Sequence, residues 1–237
     1  MLLSMSLKIH LISDTHVNLN KTWIFPNCSA DVLIIPGDVS SNFKEVCKYL
    51  NFCSSLFKQV IYIFGNHEFV ARDILDEYKM AEQLRTMINK NVEVLVNQEF
   101  EHEGVLFYGG YCSPILSKEV FNIKDKDPLF HRTFGITYDT MVEAHQNYVE
   151  CLGSAVRNGA IIISHPAPTK KALVNLGIFS EYYAVDFENY IAQAKLWIYG
   201  HTHENKDFKY LGCRIVSNSV GYLRNGYIYD KDKIIKI

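Results

Sequence analysis

The stretch that decides the fold is Lys8-Ile9-His10-Leu11-Ile12-Ser13-Asp14-Thr15-His16, a short and mainly apolar run that ends in polar side chains. Similar runs return along the chain, and each is rich in β-branched residues, which is typical of strands. The predicted strands are Lys8–Ser13, Val32–Ile35, Val60–Phe64, Val105–Tyr108, Ala160–Ser164 and Leu196–Tyr199. Because these runs are apolar almost throughout, we expect central strands that are covered on both faces of a sheet.

Segments with the period of an amphipathic helix lie between these strands, so the chain has the alternating pattern of an α/β protein. The predicted apolar stripes are Phe43, Val46, Cys47, Leu50 and Ser54; Leu75, Tyr78, Ala81, Leu84 and Ile88; and Tyr138, Val142, His145, Val149, Leu152 and Val156. The pattern changes near the end of the chain, where Phe208–Leu211, Arg214–Ser217 and Tyr227–Tyr229 are predicted to form antiparallel hairpins.

The composition limits the classes of function. The chain has 237 residues, 24 basic and 26 acidic, and a net charge of −2, which argues against an obligatory nucleic-acid surface. With 48% apolar and 21% charged residues, the chain is long enough to bury one core, so we expect a single domain over residues 1–237. No apolar run reaches the roughly 18 residues of a membrane span, so no membrane partner is expected.

The six cysteines are spread along the chain without the C-x-x-C spacing of a thiolate metal site. We expect them to be reduced and mostly buried, as in a cytoplasmic protein. The first residues carry neither the charged start nor the cleavage site of a signal peptide, which favours the same location.

Five polar blocks follow five of the predicted strands. They are Asp14-Thr15-His16, Gly37-Asp38, Gly65-Asn66-His67-Glu68, Ser164-His165-Pro166 and Gly200-His201-Thr202-His203. A Gly-Asp pair is expected about 0.7 times by chance in this composition, whereas the block that contains His67 is expected on the order of 0.002 times. Ligands of open α/β sheets bind at the carboxyl ends of the strands, so we expect these blocks to converge on one site.

The side chains of these blocks favour a particular kind of metal centre. Carboxylate, imidazole and amide groups without thiolates suit two divalent transition-metal ions such as Mn, Fe or Zn. A carboxylate bridges two cations easily, so one Asp is expected between two sets of ligands. Two divalent ions, two Asp carboxylates and a bridging hydroxide leave a positive charge, which attracts a phosphate group.

The order of the blocks resembles that of the calcineurin-like metallophosphoesterases, whose pattern is D-x-H, G-D, G-N-H-(E/D), H and G-H-x-H. The resemblance covers Asp14 to His203, and the segment around His165 is similar to small bacterial or phage-type members. It implies a four-layer α/β/β/α sandwich of two mixed sheets flanked by helices. It also implies a hydrolase that acts on phosphoric ester bonds, that is, a phosphatase or phosphodiesterase.

Residue roles follow from the resemblance position by position. The implied ligands of the first ion are Asp14, His16, Asp38 and His203. The implied ligands of the second ion are Asp38, Asn66, His165 and His201. His67 is implied to contact the phosphate and to protonate the leaving oxygen, so Asp38 and His67 are the predicted catalytic residues.

The implied activity is hydrolysis of a phosphomonoester or phosphodiester through a hydroxide that bridges the two ions, with a small phosphorylated substrate such as a nucleotide. Residues 39–41 read Val-Ser-Ser, without the arginine that protein phosphatases of this superfamily carry after the Gly-Asp block, which argues against that class. The alternative is a non-catalytic, metal-binding interaction module on the same fold. All the implied ligands are present, which argues against a module that has lost its metal ligands and its activity. The sequence leaves the oligomeric state open.

Substrate specificity is expected to depend on Tyr111–Thr137, an irregular segment longer than most loops of compact domains. We predict that it is a lid or specificity loop, in which His131 and Arg132 supply a cation for a second phosphate or for a neighbouring carboxylate. The alternative is a surface insertion whose charges are solvated.

Overall fold

The computed structural model describes residues 6–21, 25, 28–122, 137–174, 177–226 and 229–237. The strands in these ranges are β1 (Lys8–Leu11), β2 (Val32–Pro36), β3 (Gln59–Ile63), β4 (Val92–Val94), β5 (Gln98–His102), β6 (Val105–Gly110), β7 (Ile161–Ser164), β8 (Leu196–Tyr199), β9 (Asp207–Tyr210), β10 (Cys213–Ser217) and β11 (Ile234–Lys236). The helices are α1 (Phe43–Ser54), α2 (Glu77–Arg85), α3 (Lys118–Asn122), α4 (Tyr138–Arg157), α5 (Ser180–Tyr183) and α6 (Glu188–Ile191).

The strands form two mixed sheets. The first has the order β11-β1-β2-β3-β4, in which β1 to β4 are parallel and β11 is antiparallel to β1. The second has the order β5-β6-β7-β8-β10-β9, in which the four central strands are parallel and both edge strands are antiparallel. Each group of parallel strands therefore brings its carboxyl ends, and the polar blocks that follow them, to one edge.

The buried side chains define four layers. Ile9, Ile34 and Ile61 of the first sheet pack against Ile163 and Ile198 of the second, which forms the layer between the sheets. The side chains next to these in sequence point to the opposite faces, since successive residues of a strand alternate.

Those outer faces are covered by helices. On the first sheet, Leu33 and Tyr62 belong to one cluster with Leu50 of α1. On the second sheet, Trp197 lies in a cluster with Leu152 of α4. The implied four-layer α/β/β/α sandwich is therefore confirmed.

The six predicted strands are present, with ends that differ by a few residues, but the sequence analysis missed β4, β5 and β11. The hairpin of β9 and β10 is confirmed, although β10 also pairs in parallel with β8. The strand predicted at Tyr227–Tyr229 is not seen at Tyr229, and residues 227–228 lie outside the described part. The strand that closes the first sheet is β11, which is only three residues long and gives little periodic signal.

All three predicted helical segments contain a helix, but the buried faces differ in detail. In the second segment, α2 begins at Glu77, so Leu75 and Ile88 lie outside it and Tyr78 is 53% exposed. The face that α2 buries holds Met80, Ala81 and Leu84. The prediction was shifted because Leu75 belongs to a short 3-10 turn before the helix.

Of the predicted lid, residues 123–136 lie outside the described part of the chain, and His131 and Arg132 are among them. The prediction that the whole segment is irregular was wrong at α3, which packs Val120 and Phe121 against Met141 of α4.

All six cysteines are free, and four of them are buried, as expected. Among the described helices, none combines the length and the apolarity that a membrane crossing requires.

Candidate metal centre

The seven predicted metal ligands lie at the carboxyl edge where the two sheets meet. Asp14 and His16 follow β1, Asp38 follows β2 and Asn66 follows β3, all in the first sheet. The remaining ligands come from the second sheet, where His165 follows β7, and His201 and His203 follow β8. The structure brings all seven together, as the interatomic distances below show.

The first group consists of Asp14, His16, Asp38 and His203, whose ligand atoms lie within 4.8 Å of one another. The two Nε2 atoms of His16 and His203 are 3.0 Å apart. Asp14 Oδ1 lies 3.5 Å from Nε2 of His203, and Asp38 Oδ2 lies 3.9 Å from Nε2 of His16. Two carboxylates and two imidazoles therefore face one small volume.

The second group contains Asp38, His165 and His201, again with ligand atoms within 4.8 Å of one another. Asn66 joins this group because its Oδ1 lies 2.9 Å from Nε2 of His165, which in turn lies 3.4 Å from Asp38 Oδ1. Asp38 belongs to both groups, with one oxygen toward each. This is the arrangement expected of a carboxylate that bridges two ions.

The backbone at this edge is held in an unusual conformation. Five of the seven residues have left-handed φ angles: Asp14 (53°), His16 (41°), Asp38 (57°), His201 (66°) and His203 (52°). Such angles cost a non-glycine residue on the order of 1–3 kcal/mol each, and they cluster at functional sites. The fold therefore accepts local strain in order to turn these side chains toward one another.

Two glycines permit the close approach of the loops that carry Asp38 and His165. Gly37 has a φ of 85°, and a Cβ atom there would lie 2.6 Å from the backbone nitrogen of Gly65. A Cβ atom at Gly65 would lie 2.2 Å from Asp38 Oδ1 and 2.6 Å from a ring carbon of His165. Both positions therefore require glycine.

Glu68 fixes the loops after β2 and β3 against each other. Its Oε1 accepts hydrogen bonds from the backbone nitrogens of Val39 (2.7 Å) and Ser40 (3.1 Å). Its Oε2 accepts from the backbone nitrogens of Asp38 (3.0 Å) and Gly65 (2.7 Å). One buried carboxylate thus satisfies four N–H groups and sets the spacing between Asp38 and the segment that carries Asn66 and His67.

Two of the histidines are oriented by carbonyl groups. Nδ1 of His165 donates to the carbonyl of Pro36 over 2.7 Å, and Nε2 of His201 donates to the carbonyl of Tyr182 over 2.9 Å. Metal-binding histidines are commonly held in this way, because the second nitrogen is then left with its lone pair toward the ion. Nε2 of His165 and Nδ1 of His201 are accordingly the nitrogens available to a metal.

The two carboxylates are almost completely buried, with 0% of Asp14 and 1% of Asp38 exposed. Burial alone would raise both pKa values, but the neighbouring histidines outweigh it and hold the pKa of each carboxyl well below its usual range. The largest lowering of the Asp14 pKa comes from His203, and the largest lowering of the Asp38 pKa comes from His165. Both groups are therefore carboxylates at neutral pH, as metal ligands must be.

The histidines divide into two kinds. Burial lowers the pKa of His16 and of His201 to about 3, so both rings are neutral at pH 7 and have a lone pair that could bind a metal. Burial opposes protonation of His165 and His203 as well, but Asp38 raises the pKa of His165 to about 9, and the hydrogen bond to Asp14 raises that of His203. The protons on these two rings balance two buried carboxylates, and divalent cations in the same place would supply that positive charge instead. The residues present therefore fit a pair of such ions.

His67 lies beside both groups without belonging to either. It is 5% exposed, and its backbone nitrogen donates to Asp38 Oδ1 over 2.9 Å. Its ring nitrogen Nε2 lies 3.8 Å from Asp38 Oδ2, and its ring centroid lies 4.4 Å from that of His16. The side chain is thus close enough to act on a substrate bound at the two groups.

The sequence analysis missed two features of this site. One is the role of Glu68. This residue is part of one of the five polar blocks, but its role is visible only in the structure, where it joins the loops after β2 and β3. The other is Tyr222, whose hydroxyl lies 3.2 Å from Nε2 of His67. Tyrosine is common in this chain and Tyr222 lies in no block, so the sequence carried no signal for it.

Comparison with known proteins gives a match to one family and a match of fold. Residues 7–205 match the calcineurin-like phosphoesterase family. An uncharacterized protein of Acanthamoeba polyphaga mimivirus is 24% identical, over 96% of this chain and 98% of that protein. The crystal structure of phosphopantetheinyl hydrolase from Mycobacterium tuberculosis superposes with a TM-score of 0.74, at 17% identity, over 99% of this chain and 97% of that one.

Proposed function

Because the chain belongs to the calcineurin-like phosphoesterase family, we propose that it hydrolyses phosphomonoesters or phosphodiesters with the help of two divalent metal ions. The observation that carries this proposal is the position of Asp38. Its two carboxylate oxygens face two separate groups of ligands, which is what a site for two adjacent ions requires.

The ions would be held by the two groups. Asp14, His16, Asp38 and His203 would hold one, and Asp38, Asn66, His165 and His201 would hold the other. With N and O ligands and no thiolate, this set suits Mn, Fe or Zn. When bound, such ions polarise the phosphoryl oxygens and produce a nucleophile from water at neutral pH.

The charge of the site supports a phosphate substrate. Two divalent ions carry four positive charges, and the two ligand carboxylates remove two of them. The pocket would therefore attract an anion, and its buried walls would strengthen that attraction, since charges interact more strongly away from bulk water. The expected substrates are therefore small phosphorylated molecules, including nucleotides.

His67 is the residue we assign to the leaving group. It lies next to both groups of ligands and is not needed to complete either. In this position it can donate a proton to the departing oxygen, a contribution that is typically about 10²–10⁴-fold for general acids. The predicted lid, which contains His131 and Arg132, is proposed to select the substrate. It would be part of the same single domain.

The proposal is tested by loading the metal-free chain with Mn²⁺, Fe²⁺ or Zn²⁺ and screening four ester classes. These are p-nitrophenyl phosphate, bis-p-nitrophenyl phosphate, cyclic nucleotides and a phosphopantetheinyl diester. We expect hydrolysis of at least one class, abolished by a chelator and restored by metal. The matched control is Asp38→Asn. Asparagine has nearly the same size as aspartate but is a weaker bridging ligand, so this variant should lose the activity.

Absence of turnover by the wild-type chain on all four classes, with two ions bound, would contradict the proposal. That outcome would favour the alternative of a metal-binding interaction module on the same fold.

A further inference from the structure

Tyr222 lies after β10 and reaches into the metal centre. Its hydroxyl oxygen is 3.2 Å from Nε2 of His67. Its ring stacks on that of His16, with centroids 4.7 Å apart and planes at 25°, and meets the ring of His203 edge-on at 4.8 Å. The residue lies beyond residues 7–205, the part of the chain that matches the family.

The backbone on both sides of Tyr222 is anchored to the loop that follows β1. The backbone nitrogen of Gly221 donates to the carbonyl of Asp14 over 3.0 Å. The side chain of Asn20 donates to the carbonyl of Gly221 over 2.6 Å and accepts from the backbone nitrogen of Leu223 over 3.2 Å. Asn20 is itself buried, so Tyr222 is held in place relative to the ligands Asp14 and His16.

The contacts of His67 explain what this anchoring achieves. The main chain of His67 is fixed by Asp38, but the ring nitrogen Nε2 is 3.8 Å from the nearer Asp38 oxygen, too far for a hydrogen bond. The hydroxyl of Tyr222 is within hydrogen-bond distance of that same nitrogen. Of these two groups, the hydroxyl of Tyr222 is therefore the one close enough to orient Nε2.

We propose that Tyr222 is a positioning residue, whose hydroxyl holds the ring of His67 in the orientation from which Nε2 donates its proton. In the tautomer with the proton on Nε2, this N–H donates to Tyr222 Oη until a substrate arrives. The kinetic part of this inference rests on the proposed function.

The reaction remains hydrolysis. The bond between phosphorus and the leaving oxygen breaks, an oxygen from water bonds to phosphorus, and the proton of His67 Nε2 goes to the leaving oxygen. The proton that the attacking water loses returns to the ring of His67 through the solvent, so the ring ends with the protons it had at the start. Tyr222 keeps its own proton throughout. The effect of Tyr222 on the rate should therefore be large only where the leaving oxygen needs the proton of His67.

The test compares Tyr222→Phe with Tyr210→Phe. Both variants lose one hydroxyl, but that of Tyr210 donates to Glu188 at the surface over 2.6 Å. In the Zn²⁺-loaded protein, the ¹⁵N resonance of His67 Nε2, assigned by its loss in His67→Gln, should shift in Tyr222→Phe and stay unchanged in Tyr210→Phe. Both variants should bind zinc with the stoichiometry of the wild type.

The kinetic readout uses two monoesters that differ in the leaving group. We expect kcat of Tyr222→Phe on an alkyl phosphate to fall about 3- to 10-fold, the size of one lost neutral hydrogen bond, with KM unchanged. On p-nitrophenyl phosphate, whose leaving group is stable without a proton, kcat should stay near the wild-type value. Tyr210→Phe should match the wild type on both esters.

An unchanged Nε2 resonance in Tyr222→Phe would overturn the inference, and so would equal losses of kcat on the two esters. If the wild-type chain acts only on diesters, the same comparison is made with an alkyl and a p-nitrophenyl diester. Inactivity on all four ester classes would instead refute the proposed function together with the kinetic part. The resonance would still decide whether Tyr222 holds His67.

Discussion

Replacing Glu68 with glutamine should lower the free energy of unfolding substantially, although the two side chains have nearly the same size. Each carboxylate oxygen of Glu68 accepts two backbone N–H groups. The glutamine amide has one accepting oxygen, so its NH₂ group must face one of the two pairs of donors in either orientation. Two buried N–H groups then lose their partner.

The magnitude follows from those two donors. A buried donor without a partner costs about 1–3 kcal/mol, so the pair costs about 2–6 kcal/mol. A domain is typically stable by about 5–15 kcal/mol, so this is a substantial fraction. The substitution also removes a buried charge, which is favourable, because burial and the charge of Asp38 raise the pKa of Glu68 to about 7.

Glu77 provides the control for that second effect. It is another buried glutamate, and burial raises its pKa to about 8. Its carboxylate accepts one backbone hydrogen bond, from Tyr111 over 3.1 Å, which a glutamine oxygen can also accept. Glu77→Gln therefore removes a buried charge without leaving that donor unpaired.

The assay is urea unfolding of the two variants and the wild type at pH 8. We expect the free energy of unfolding of Glu68→Gln to lie about 2–6 kcal/mol below that of Glu77→Gln. Equal stabilities within about 1 kcal/mol would refute the reasoning, because the four hydrogen bonds to Glu68 would then contribute nothing that glutamine cannot replace.

Three further outcomes follow from the same geometry. Asp38→Asn should weaken the binding of both ions, whereas His16→Ala should mainly weaken one, and calorimetric metal titration would contradict this if His16→Ala lost both equally. His67→Gln should keep both ions and lose far more kcat/KM on an alkyl ester than on the p-nitrophenyl ester, while equal losses would assign His67 to phosphate positioning. The pKa of Glu77 is raised from 4.5 to about 8, so its contribution to stability is full below about pH 4.5 and is lost as the pH rises toward 8. Glu77→Gln should therefore gain stability over the wild type between pH 5 and pH 8.5, and a constant difference in urea unfolding would contradict the burial argument.

The sequence was sufficient to predict the central strands and the convergence of the ligands. Strand β2 is five buried residues, and such runs are recognisable because both faces must be apolar. His165 and Asp38 could be assigned to one site because each follows a parallel strand and those strands end at one edge. Two independent regularities, strand pattern and block order, agreed on this point.

The short edge elements could not be predicted in the same way. Strand β11 has three residues, and what makes it a strand is its pairing with β1, more than 220 positions earlier in the chain. The same holds for Tyr222, which reaches His67 because Asn20 and the carbonyl of Asp14 anchor the segment around it. Contacts between distant parts of the chain leave no periodic trace in the local sequence.

The central claim is that Asp38 joins two ion sites in one centre, and the most direct measurement is the number of ions bound per chain. The metal-free protein is dialysed to equilibrium against Mn²⁺, and bound metal is measured by plasma mass spectrometry against protein concentration. The two groups of ligands that share Asp38 predict two ions per chain. A saturating value of one ion or none per chain would contradict the account.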